Sequence, residues 1–279
     1  MIKKALGALA LALSISSPAM AFVDDYPTEK APDLINDMAA LQNGAKQFVN
    51  YCLNCHSASA MMYNKLTDIG LTEEEIRRNL LFTSDDIGDY MDVALDPEDG
   101  KDWFGTTPPD LSVIARSRST SFGPSGVDYL YTYLRTFYRD QGQITGWNNL
   151  VYPMVAMPHA MWESQGPTRV ESVVVKQNSD GQWERTTTEI DEYGFWDVQT
   201  EELSSAPSKA SATAKIIPLD KERQERFDRD IADLSNFLGW MAEPYQMERK
   251  RIGAAVLVLL IIFFGIAWRL DKAFWKDVK

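Results

Sequence analysis

The sequence predicts a mainly α fold: an exported helical domain with loop and small β-hairpin insertions, followed by one C-terminal transmembrane helix. Three observations predict it. Apolar residues recur at helical spacing in separate stretches, including Val127, Leu130, Tyr131 and Leu134, and later Ile231, Leu234, Leu238 and Met241. Residues 252–268 form an uncharged run that is apolar on every face. One stretch, residues 170–190, alternates in the period of a strand and turns at Asp180-Gly181.

The chain has 279 residues, enough for one or two domains and a sizeable core. Residues 1–21 carry Lys3 and Lys4, a short apolar run and Ala19-Met20-Ala21, the form of a cleaved secretory signal peptide. The exported domain is therefore expected over 22–245, with an extended, proline-containing arm at its start. Residues 252–268 would span about 26 Å as a helix, just sufficient for a bilayer core. A buried core helix is disfavoured because the run follows the globular part and has no polar face. Arg249, Lys250 and Arg251 precede the run, and Arg269, Lys272, Lys276 and Lys279 follow it, so flanking charge does not set the orientation. The signal peptide does: the bulk is exported and residues 269–279 form a cytoplasmic tail. With 28 basic and 40 acidic residues, the net charge of −12 argues against nucleic acid and suits a basic partner. Two cysteines are too few for a disulfide scaffold.

Those two cysteines lie in Cys52-Leu53-Asn54-Cys55-His56, the attachment signature of a c-type haem. Two thiols at this spacing can each add to a haem vinyl group, and the adjoining imidazole can reach the iron. No second such motif occurs, so one covalently bound haem is expected. A zinc site would need nearly every Cys and His in the chain, and a thioredoxin-like redox pair would need a βαβ context that the pattern lacks.

A helical pattern starts near Pro32 and runs to the motif, with Gly44, Phe48 and Cys52 on one face. A glycine there allows another helix to approach closely. Thr72-x-x-Glu75 has the form of a capping box opening a short helix to about Phe82. Residues 73–110 hold twelve acidic and three basic residues, either a solvated face or a docking patch for a basic protein. Residues 105–112, GTTPPDLS, form a loop, followed by Arg116 and Arg118, either of which could meet a haem propionate. Ser125 caps the next helix. Residues 152–161, YPMVAMPHAM, are the place to seek a second iron ligand: Met157 leads, and His159, the only other histidine, stays open. Residues 201–215, rich in Ser, Ala, Lys and Thr, read as a mobile linker. A last soluble helix over 222–243 is expected to pack on the Gly44/Phe48 helix and to end at Glu243-Pro244.

In combination these pieces resemble the cytochrome c1 family, the c-type cytochrome subunit of the quinol–cytochrome c reductase. The residues that carry the resemblance are Gly44, Phe48, Cys52, Cys55 and His56; Pro108-Pro109-Asp110-Leu111-Ser112 with Arg116 and Arg118; Asp128-Tyr129; Ala156-Met157-Pro158; and Phe237-Leu238-x-Trp240-x-x-Glu243-Pro244 before a basic stretch and one membrane helix. The resemblance implies a class I cytochrome c-like haem domain. It implies thioether links at Cys52 and Cys55, axial ligation by His56 and Met157, Arg118 near a propionate, and Pro109 and Tyr129 at the haem site. It implies relay of electrons from a Rieske iron–sulfur protein to a soluble, basic cytochrome c, beside cytochrome b, in a dimeric complex of a bacterial inner membrane with the haem domain in the periplasm. The alternative is an anchored monohaem cytochrome feeding a terminal oxidase outside that complex. His159 stands where the family often has proline, and 168–215, the hairpin and linker insertion, is longer than in many relatives.

Overall fold

The computed structural model describes residues 26–277. The signal peptide expected at 1–21 lies outside the described residues. In chain order the elements are α1 (Met38–Gln47), a π-helical turn (Phe48–Cys52), β1 (Ala58–Met62), a 3-10 turn (Tyr63–Ile69), α2 (Glu73–Asn79), β2 (Tyr90–Met91), α3 (Pro97–Phe104), α4 (Ile114–Ser117) and α5 (Gly126–Arg135). There follow β3 (Phe137–Arg139), β4 (Trp147–Asn149), α6 (Trp162–Gln165), β5 (Thr168–Gln177), β6 (Trp183–Ile190), β7 (Trp196–Glu202), β8 (Ser211–Pro218), α7 (Lys221–Ala242) and α8 (Gln246–Phe274). The described residues divide into two compact units: one built from Tyr133–Glu225 with those before Glu29, the other from Glu29–Thr132 and those from Arg226 onward.

The second of these holds the haem motif and is helical. Its first helix starts later than the sequence pattern suggested, because Asp37 caps it by accepting the N–H groups of Ala39 and Ala40. The capping box at Thr72 and Glu75 is formed, with both reciprocal bonds present. Ser125 and Asp128 make the equivalent pair at the start of α5. Helix α7 packs against α1: Phe48 and Phe237 are fully buried with ring centroids 5.7 Å apart. Gly44 permits this contact, since a Cβ there would sit 2.3 Å from the Asp233 carbonyl oxygen and 2.5 Å from Phe237 Cβ. The expected apolar stripe of α7 is buried, yet its C-terminal half is buried on all sides, Ser235, Asn236 and Trp240 included. Helix α8 overshoots the predicted 252–268 at both ends, is long and apolar enough to cross a membrane, and buries no residue.

In the other unit a four-stranded antiparallel sheet has the order β7-β6-β5-β8. The hairpin expected around Asp180-Gly181 is its β5–β6 pair, in register from Val170 with Ile190 to Gln177 with Trp183. The linker expectation for 201–215 is corrected: β7 runs through Glu202, and Ser211–Pro218 pairs with β5 along its length. Alternation of Ala, Ser and Thr carries little polarity contrast, so this edge strand is quiet in the sequence. Tyr138, Leu150, Val170 and Ile190 form a core here, with Tyr26 and Ile216 packed against it.

Gly44→Ala is expected to lower the unfolding free energy by about 1–3 kcal/mol, the usual cost of overpacking, because its nearest obstacle is backbone. Thermal unfolding of the detergent-solubilised protein measures this, and an unchanged midpoint would contradict the close packing of α1 on α7.

Candidate haem site

The site is built on the turn that ends α1. The helix widens over Phe48–Cys52, where Leu53 N–H reaches the Phe48 carbonyl at 3.0 Å, and then folds back on itself. Both the Cys55 and His56 N–H groups bond to the Cys52 carbonyl, at 3.1 and 2.9 Å. One short turn therefore carries both thiols and the imidazole. Asn50 and Asn54 reinforce it by donating to the carbonyls of Lys46 and Asn50. Neither cysteine is in a disulfide. Burial, with the neighbouring Cys55 sulfur as a lesser cause, pushes the Cys52 thiol up to about 12. Burial also raises Cys55 above the ordinary thiol range, so both side chains are held as neutral thiols.

His56 is oriented by a single bond: Nδ1 lies 2.8 Å from the Pro109 carbonyl oxygen and donates to it. Nε2 is then left with its lone pair, which is the tautomer a metal requires. Burial lowers the pKa of His56, against the opposing pull of the Pro109 carbonyl and of Asp110, so the ring is neutral at pH 7. These donors fit a c-type haem: two thiols in their protonated form and one neutral imidazole with a fixed tautomer, on one turn.

The loop that supplies the Pro109 carbonyl is stitched to the segment after the motif. Asp110 Oδ2 accepts from the Ser59 N–H at 2.8 Å and its hydroxyl at 2.7 Å, while Oδ1 accepts the Ser112 N–H at 2.8 Å. Leu111 N–H donates to the Ser57 carbonyl at 2.8 Å, and Ala60 N–H to the Ser112 hydroxyl at 3.0 Å. Burial raises the Asp110 pKa, but the bonds from Ser112 and Ser59 outweigh it and hold the carboxyl below its usual range. Sequence reasoning missed Ser57, Ser59, Asp110 and Ser112 as parts of this site. The only signal for them is the placement of hydroxyls directly after the histidine and after the double proline.

Of the other expected site residues, Arg118 and Tyr129 are brought together, the guanidinium lying 5.3 Å from the ring centroid. Both belong to the unit that holds the motif. Met157 belongs to the unit formed by Tyr133–Glu225, in a loop where the Tyr133 hydroxyl donates to its sulfur at 3.5 Å. His159, the competing ligand from sequence, is buried, stacked on Phe137 at 4.9 Å and bonded through Nε2 to Gln165 Oε1 at 2.8 Å. Its ring is thus committed to the protein. Burial depresses its pKa to about 3, with the Gln165 bond opposing and the Arg139 charge assisting.

A family model described as the Cytochrome C1 family matches residues 34–169 and 213–278. The gap in that match, 170–212, holds most of β5 through β7. A protein of Nitrosomonas europaea named ammonia monooxygenase gamma subunit is 36% identical over 250 residues, covering 90% of this chain and 88% of its own. Cytochrome c1 of Allochromatium vinosum is 36% identical over 248 residues, covering 88% and 86%. Cytochrome b/c1 of Bradyrhizobium diazoefficiens is 26% identical over 270 residues, covering 86% of this chain and 34% of its own.

A histidine held neutral in the fold but free to charge when unfolded contributes stability above its unfolded pKa and loses it as pH falls toward the folded one. For His159 that window runs from about 6.5 down to about 3. The unfolding free energy should therefore fall on acidification below pH ~6.5, by up to about 1.4 kcal/mol per pH unit from this residue alone, and the melting temperature with it. His159→Gln should flatten that segment of a melting-temperature profile against pH, and an unaltered slope would show that the ring is not the responsible group.

Proposed function

The chain belongs to the cytochrome c1 family, and on that premise we propose that it is a membrane-anchored monohaem relay carrying electrons from a Rieske iron–sulfur protein to a soluble, basic cytochrome c. Membership implies a haem c electron-transfer subunit of the bc1 complex, with cytochrome b and the Rieske protein as fellow subunits. The dimeric state of that complex, the periplasmic side for the haem unit and the bacterial inner membrane belong to the proposal. The observation that carries it is the Cys52-x-x-Cys55-His56 turn whose imidazole is held by the Pro109 carbonyl, leaving Nε2 for iron.

In this reading Cys52 and Cys55 would hold one haem by thioether bonds, which would keep the cofactor from leaving between turnovers. When bound, the haem supplies reversible one-electron transfer at its iron. His56 Nε2 and Met157 Sδ would hold its iron, a pair that would favour a higher potential than two histidines. The Pro109 carbonyl makes His56 a stronger donor by taking its Nδ1 proton in a hydrogen bond. Arg118, stacked on Tyr129, is the cation for a propionate. No side chain acts as acid, base or nucleophile.

The approach of the acceptor is assigned to residues 73–110, whose twelve acidic side chains are all exposed. A surface of that sign attracts a basic carrier from a distance and releases it quickly, which suits a partner that must come and go. A second reading is favoured by the name of one relative, the ammonia monooxygenase gamma subunit. There the same haem would serve an oxidase or oxygenase outside the bc1 complex.

Co-purification of the tagged chain with cytochrome b and a Rieske protein from native membranes is the expected result, and recovery with an oxidase or oxygenase instead would select the second reading. Met157→Leu should abolish the near-red methionine-to-iron charge-transfer band and lower the midpoint potential; persistence of the band would remove Met157 as ligand. The association rate with a basic cytochrome c should fall at least about tenfold as ionic strength rises from about 0.01 to 0.15 M, where the screening length shrinks from about 30 to 8 Å. A salt-independent rate would free 73–110 from this role.

A further inference from the structure

Met157 sits between two anchored points of its loop. On the N-terminal side Asn149 is completely buried. Its Oδ1 accepts the N–H groups of Val151 and Tyr152 at 2.9 and 3.0 Å, and its Nδ2 donates to the Tyr133 carbonyl at 2.7 Å. Asn148, also buried, accepts the Met154 N–H at 2.8 Å and donates to Asp140 at 2.9 Å. Met154 is held at φ 60, the one non-glycine residue with positive φ among the described residues. A bulky side chain does not adopt that conformation unless the surroundings impose it.

On the C-terminal side His159 is locked flat on Phe137, with an interplanar angle of 5°, and edge-on to Trp147. Its partner Gln165 donates to the carbonyls of Phe137 and Arg135 at 3.2 and 3.4 Å. Between the anchors the Tyr133 hydroxyl reaches Met157 Sδ. That donor uses one sulfur lone pair and leaves the other for a metal. Polar groups this deeply buried are costly to keep unless fully paired, and paired they allow the backbone a single arrangement. A loop that merely covered a core would be served as well by apolar side chains.

We propose that Asn149 and His159 are positioning residues that clamp the two ends of this loop and so fix how Met157 presents its sulfur to the haem iron. The inference rests on Met157 being the sixth ligand. A thioether is a weak ligand, and the bond survives only if little loop entropy is lost in forming it. The clamp removes that entropy during folding. It also explains a histidine after Met157-Pro158 that ligates nothing: its ring is a pin.

The test compares Asn149→Ala, His159→Leu, His159→Gln and Met157→Leu in the full-length protein purified in its complex. Three readouts report ligation without turnover: the ferric charge-transfer band, the midpoint potential, and carbon monoxide binding to the ferrous haem. Asn149→Ala and His159→Leu should each lose at least half of the band, acquire carbon monoxide binding, and lower the midpoint by about 59 mV or more, a tenfold change in the one-electron equilibrium. His159→Gln, which keeps a hydrogen-bonding tip for Gln165, should retain most of the band, and covalent haem per chain should be unchanged in all. If Met157→Leu loses the band while both clamp variants match wild type in all three readouts, the clamp is overturned and the ligand assignment stands. If Met157→Leu keeps the band, the ligand assignment itself fails and the clamp falls with it. Should either clamp variant not accumulate, Gln165→Leu, which frees the C-terminal anchor by removing the partner of the His159 ring together with the bonds to the Phe137 and Arg135 carbonyls, decides by the same three readouts.

Discussion

The hydrogen bond between His56 Nδ1 and the Pro109 carbonyl oxygen, 2.8 Å long, is the constraint from which the haem site follows. It decides which imidazole nitrogen keeps a lone pair, and so whether the motif can bind iron in the geometry its cysteines dictate. A carbonyl can serve that purpose only if its own position is fixed. Two adjacent prolines limit the backbone before it, and Asp110, Ser59, Ser57 and Ser112 tie the backbone after it to the strand that follows the motif. On the other side of the motif, α1 is held by α7 at the one residue without a side chain, Gly44. The turn with the cysteines is thus fixed on one side by hydrogen bonds and on the other by a helix contact too close for any side chain at Gly44.

The two histidines show how burial separates roles. Both are pushed toward the neutral form by desolvation. His56 spends one nitrogen on a backbone carbonyl and keeps the other, whereas His159 gives its Nε2 to Gln165 and its face to Phe137. Local sequence could not rank His159 far below Met157, because an imidazole in a proline-bounded loop looks the same whether it faces a metal or a glutamine six residues on. The family resemblance puts Met157 first by pattern alone; what the structure adds is a buried partner for His159, Gln165, that no spacing rule predicts.

Legibility of the rest follows the same division. Helix caps at Thr72 and Ser125, the glycine face of α1 and the apolar run of α8 are local chemistry, and each was readable because donor and acceptor, or apolar neighbours, lie within four residues of each other. Apolar spacing starts α1 near Pro32, about six residues early, because it does not announce a cap, and Asp37 accepting two N–H groups sets the start at Met38. Strand β8 reads as a linker in the sequence because its identity depends on pairing with β5, some forty residues away, and its small side chains alternate too weakly to show it. The serine stitching around Asp110 joins residues about fifty positions apart and has no periodic signature at all.

Three residues, Glu243, Pro244 and Tyr245, separate the buried helix α7 from α8. Fully extended they reach at most about 11 Å. Arg249 pairs back to Glu243 and Lys65 lies 6.0 Å from the Tyr245 ring centroid, so even that slack is taken up. A redox centre leashed this tightly to its bilayer cannot shuttle. Whatever brings it an electron, and whatever takes one away, must do the travelling.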